Sequence, residues 1–122
     1  MRLVITGGPR TGKTTQALEL GRAHGWPVYH TDDTMTLPWS EASAEVARWF
    51  ERPGPWIIEG VAIPRALRKY LRAREDLPAD ELLLMTHAFV PLSPGQQRMG
   101  AGVETVLAEI LQDLEQRGMV IR

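Results

Sequence analysis

The 122-residue chain has no cysteine and no asparagine. Without a thiol there can be no thiol nucleophile, no disulfide and no cysteine-ligated metal. Net charge is nearly absent as well. Fourteen Lys and Arg against fifteen Asp and Glu leave a formal −1, too little of either sign to grip nucleic acid or an anionic membrane electrostatically. No apolar run approaches the ~20 residues of a membrane span. The N-terminus leads straight into strand-type residues with no secretory leader, so a cytoplasmic protein is expected. What remains is ordinary for a globular chain, at 43% apolar and 24% charged residues, and the length suits one domain over residues 1–122. Lysine is scarce, two residues against twelve arginines, which draws attention to where one of the two falls.

That lysine closes Gly7-Gly8-Pro9-Arg10-Thr11-Gly12-Lys13-Thr14, a fit to G-x-x-x-x-G-K-[ST]. The motif requires a buried strand before it and a helix after it. Arg2-Leu3-Val4-Ile5-Thr6 supplies the strand pattern, and Thr15-Gln16-Ala17-Leu18-Glu19-Leu20-Gly21 the helical one. Glycines let the backbone close around a phosphate, and successive amides with the helix N-terminus aim partial positive charge at it. A nucleoside triphosphate is the expected ligand, bound by Gly7 through Thr15. Lys13 would reach the outer phosphates, and the Thr14 hydroxyl would be a Mg²⁺ ligand.

Strand and helix signals alternate along the rest of the chain, as in an α/β fold with a parallel sheet. Trp26 to His30 reads as the second strand and Thr31 to Thr34 as a polar turn. Ser40 is the expected N-cap of a helix running to about Arg52. Trp56-Ile57-Ile58-Glu59-Gly60 is a central strand by its unbroken apolar run. A helix from Ile63 to about Arg74 follows, then a strand at Leu82 to Thr86. Val103, Val106, Leu107, Ile110, Leu111 and Leu114 mark one face of a last helix, and Met119 to Ile121 closes the sheet. Residues 87–102, rich in Pro and Gly, are expected to form a short lid loop.

In such a sheet, ligands sit beyond the carboxyl ends of the strands. Glu59 ends the third strand there, either as a metal-holding carboxylate or as a charge leaving the strand for the loop; the intact phosphate loop favours the metal. Asp32 and Asp33 follow the second strand. One suits the turn itself; the other, favoured as Asp32, would take the proton of a hydroxyl acceptor or help hold the metal. Arg65, Arg68, Lys69 and Arg72 stripe one helix face, mostly as a solvated surface. Arg65, in the first turn after Glu59-Gly60, is the member placed to contact phosphate. Arg98, the only base of residues 87–102, would be an internal arginine finger, or else part of the polar lead into the last helix.

Taken together these residues resemble the small P-loop kinases of the adenylate-kinase and shikimate-kinase superfamily. The topology modulation proteins within it show His-x-Asp after the second strand, a later Trp, then Trp-hydrophobic-hydrophobic-Asp-Gly. The matching residues are His30-Thr31-Asp32, Trp39 and Trp56-Ile57-Ile58-Glu59-Gly60. Adenylate kinases follow Asp-Gly with Pro-Arg, whose Arg holds the acceptor phosphate; here Pro64-Arg65 comes two residues later. The stretches 59–69 and 93–106 are also similar to small bacteriophage-encoded P-loop ATPases. Glu replaces Asp at position 59, and the arginine-rich lid shrinks to Arg98.

The resemblance implies a three-layer P-loop NTPase fold: a five-stranded parallel sheet in the order 2-3-1-4-5, helices on both faces and a reduced lid. It also implies ATP- and Mg²⁺-dependent phosphoryl transfer to a small acceptor, a nucleoside, nucleotide or nucleic-acid 5′ end. Lys13, Asp32, Arg65 and Arg98 would be the catalytic residues, with Thr14 and Glu59 on the metal. The competing expectation is a nucleotide-dependent switch or assembly ATPase. Trp39, Trp49 and the basic stripe would then dock a protein partner. Neither expectation involves a membrane or an extended nucleic-acid surface.

Overall fold

The computed structural model describes residues 1–34 and 36–122. Five strands, β1 (Arg2–Gly7), β2 (Val28–His30), β3 (Trp56–Glu59), β4 (Glu81–Met85) and β5 (Val120–Ile121), alternate with four helices. These are α1 (Lys13–His24), α2 (Trp39–Trp49), α3 (Ile63–Ala73) and α4 (Pro94–Gln116), with a 3₁₀ turn at Thr31–Thr34. The strands form one sheet in the order β2-β3-β1-β4-β5, and every pairing is parallel. β1 and β3 are central and buried almost throughout, which is why Leu3-Val4-Ile5 and Trp56-Ile57-Ile58 are unbroken apolar runs rather than alternating. Among the described residues no helix is long and apolar enough to cross a membrane.

Neighbouring residues of the central strands serve opposite faces, since strand side chains alternate. Val4 and Ile58 join Val46 of α2, Ile63, Leu67 and Tyr70 of α3, and Val103, Leu107, Ile110 and Leu114 of α4 in one large core. Leu3, Ile5 and Ile57 turn the other way and meet Ala17 of α1, with Leu20, Leu83 and Met85 around them. One helix therefore covers one face, and three cover the other.

Strand ends shift by one or two residues from the sequence expectation, α2 stops at Trp49 rather than about Arg52, and two helix starts differ. Ser40 is not an N-cap: α2 starts two residues earlier, at Trp39 behind Pro38, with no side-chain cap, and the Ser40 hydroxyl accepts from Lys69 Nζ instead. The lid loop is half its expected length. Residues 86–93 are loop, and α4 begins at Pro94 under a capping box, with Ser93 Oγ accepting from the Gln96 amide while Gln96 Oε1 accepts from the Ser93 amide. Proline at the first helical position costs nothing, because that amide has no partner in a helix. The Pro and Gly that read as breakers are thus the first turns of a 23-residue helix.

Of the basic stripe, Arg68 pairs with Glu109 of α4 at 3.1 Å and Lys69 with Ser40 of α2 at 3.3 Å, and both tie α3 to its neighbours.

Candidate functional site

The carboxyl ends of β1, β3 and β2 open into a cleft of about 580 Å³, lined by Pro9 through Thr15, Asp32, Glu59, Val61 and Met99. Its floor is the Gly7–Thr14 turn between β1 and α1. Gly12, at the N-cap of α1, adopts a left-handed conformation (φ 84°) with no side chain to cap the helix, and no acid stands in the first turn. The first-turn amides and their share of the helix dipole are therefore not spent on the protein's own side chains. The turn is braced internally by Thr11 Oγ1, which donates to the Gly8 carbonyl at 2.9 Å.

Lys13 folds over this turn. Its Nζ donates to the Gly8 carbonyl at 2.7 Å and lies 3.5 Å from Thr11 Oγ1. Burial pulls the Lys13 pKa below its ordinary value, against the opposing pull of the Glu59 and Asp32 carboxylates. A buried ammonium facing two acids across a cleft is a site already organised by charge.

Glu59 is the most heavily enclosed acid of the site, 1% exposed. Burying a carboxylate costs several kcal/mol unless it is paired (roughly, per ion, after relaxation). Here the Thr14 hydroxyl donates to Glu59 Oε2 at 2.7 Å, and His30 Nδ1 meets the same oxygen at 3.0 Å. Sheet register makes the second contact: His30 and Glu59 are paired residues at the ends of β2 and β3. His30 is not among the cleft's lining residues and supports it through Glu59; the sequence reading matched it only within His30-Thr31-Asp32. The signal was available, since two strand-end residues in an order that begins 2-3 must be neighbours.

The structure brings together Thr14 and Glu59, the pair expected to hold a metal, beside Lys13. Among the described residues no group of three or more His, Asp or Glu side chains could hold an ion by itself. One carboxylate with one hydroxyl suits Mg²⁺ nonetheless, because that ion keeps waters and takes phosphate oxygens rather than a full protein cage. Of the two acids after β2, Asp32 lines the cleft and Asp33 is not among its lining residues. Arg10 lines it too, from a left-handed backbone (φ 62°). Arg65 and Arg98 are not among the lining residues. The Arg65 guanidinium lies 4.9 Å from the centre of the Trp39 ring, and Arg98 is exposed in the second turn of α4, reaching back toward Gly95. Met99, which the sequence reading left unassigned, lines the cleft from the same turn.

Gly60 shapes the acidic side. At φ 142°, a Cβ on it would stand 1.7 Å from Thr31 Oγ1 and 2.9 Å from Thr31 Cβ. Thr31 is fully buried and cannot retreat. Gly60→Ala should therefore destabilise the fold by about 3 kcal/mol or more, from strain plus overpacking. Urea unfolding measures this as a lower midpoint at unchanged slope.

No known protein-family model matches the chain, and no curated protein matches it at a significant level.

Proposed function

We propose that this chain is an ATP- and Mg²⁺-dependent phosphotransferase acting on a small acceptor: a nucleoside, a nucleotide or a nucleic-acid 5′ end. One observation carries the reading: Lys13, Thr14 and the buried Glu59 meet at a single cleft beyond the carboxyl ends of the central strands. In this reading the Gly7–Thr14 turn is a phosphate-binding P-loop, with its amides and Lys13 on the triphosphate. Thr14 and Glu59 would hold Mg²⁺, which when bound neutralises charge on the outer phosphates. Asp32 orients the acceptor hydroxyl and takes its proton as the oxygen attacks the γ-phosphorus, with ADP leaving.

A different class, a nucleotide-dependent switch or assembly ATPase with a protein partner, is favoured by one feature. Neither Arg65 nor Arg98 lines the cleft, so a cation for the transferred phosphoryl beyond Lys13 and Arg10 would have to swing in or come from elsewhere.

Thermal denaturation with nucleotides and Mg²⁺ tests the shared part of both readings. ATP·Mg²⁺ at 100 times its Kd should add about 2.7 kcal/mol to stability. Glu59→Gln should keep the response to metal-free ATP and lose the increment that Mg²⁺ adds. An equal Mg²⁺ response in variant and parent would return Glu59 to a purely structural role.

A further inference from the structure

Phe89 is the most exposed large apolar residue of the described chain, at 69%, yet its backbone is pinned to the cleft floor. Its amide donates to the Arg10 carbonyl at 2.9 Å. Its ring edge lies against Gly12, where a Cβ would stand only 2.9 Å from Phe89 Cε2. The His87 ring meets it edge-on at 5.6 Å between centroids. Folding gains little from leaving an aromatic side chain in water, and its burial would be worth about 1.5–3 kcal/mol. Here a ring is held against the phosphate-binding turn with most of its surface open.

Sheet order says which end of a bound triphosphate reaches it. Glu59 ends β3 and Asp32 follows β2, both on one side of β1. Phe89 follows β4, on the opposite side of β1. The reacting, metal-held end of the triphosphate belongs with the acids. The nucleoside end therefore leaves toward β4, where the open aromatic ring stands. From this, and resting on the triphosphate-binding reading above, we propose that Phe89 is the nucleobase platform of the site, stacking the base of the bound nucleotide. Stacking uses the π-face that every base has and is tolerant of base identity. The site accordingly takes nucleoside triphosphates as a class, ATP and GTP alike, rather than one base.

Calorimetric titrations of ATP, GTP and inorganic tripolyphosphate, each with Mg²⁺, test this on the parent, Phe89→Ala, Phe89→Leu and Phe89→Tyr. The parent should bind both nucleotides about 10–100-fold more tightly than tripolyphosphate, the range that one aromatic stack supplies. Phe89→Ala should lose most of that preference with tripolyphosphate affinity unchanged. Phe89→Leu, which keeps apolar bulk against Gly12, should lose it equally, and Phe89→Tyr should retain it. Equal losses for nucleotide and tripolyphosphate would overturn the proposal, because the ring would then only brace the loop. Unchanged nucleotide affinity in the Ala and Leu variants would also overturn it, leaving the Phe89–Val90 surface to a protein partner. A parent that binds none of the three ligands would remove the phosphate-binding reading itself, and this inference with it.

Discussion

Lys13→Ala protein should show no measurable binding of ATP·Mg²⁺ by isothermal titration, while its fold stays intact. A hydrogen bond to a charged partner contributes about 1.5–3 kcal/mol. A side chain reaching two phosphates forfeits two of them, a loss on the order of 10²–10⁴-fold in affinity. The fold does not need the ammonium, since its partners are the Gly8 carbonyl and Thr11 Oγ1 of the same turn. Unchanged affinity would sink the P-loop reading. The parent's pH dependence checks the same group with opposite signs in two measurements. Burial holds the folded pKa of Lys13 below 10.5. Triphosphate affinity should be full below that lowered pKa and fall as pH rises through it. Ligand-free stability should rise over the same interval up to 10.5, because there the unfolded chain binds the proton that the folded one has released.

Asp32→Ala should keep ATP affinity and lose transfer. With a hydroxyl acceptor the loss should be on the order of 10²–10⁴-fold, the contribution of a general base, and much smaller with a phosphate acceptor that has no proton to give. Single-turnover transfer from labelled ATP to nucleosides, nucleotides and 5′-hydroxyl oligonucleotides measures it. Arg65→Ala belongs in the same experiment. If the guanidinium leaves Trp39 for the acceptor, transfer drops; if it stays, the rate holds and only the α2–α3 contact weakens. A parent that hydrolyses ATP and labels no acceptor, with Asp32→Ala hydrolysing equally, would favour the switch reading.

Much of the sheet was legible in advance because buried strands carry the plainest signal. Trp56-Ile57-Ile58 read as a central strand and Leu3-Val4-Ile5 as a buried one before the phosphate-loop motif, and a chain alternating strand with helix at this length has few ways to arrange them. The Thr14–Glu59 contact was also legible, since both ends of it were placed by strand and motif. What failed was punctuation. Pro94, Gly95, Gly100 and Gly102 were taken for loop residues and the Ser93-x-x-Gln96 capping box went unread, although proline in the first turn of a helix is favourable. Arg98 was consequently placed in a loop that could close over ligand, whereas the helix turns it outward and presents Met99. The sequence reading gave Phe89 no role for a different reason. An exposed aromatic in a loop has no periodicity, and only the contact with Gly12 gives it meaning.

The unequal covering of the two sheet faces has a consequence for local stability. Among the described residues, the core shared by α2, α3 and α4 contains eighteen buried residues and the core under α1 contains four. Cooperative opening should therefore start with α1, whose amides will exchange with solvent at lower free-energy cost than those of α3 or α4. The turn that would hold the triphosphate is continuous with that least-anchored helix. A ligand seated there tethers α1 to the rest of the molecule, so its imprint on hydrogen exchange would extend along the helix well beyond the residues it touches.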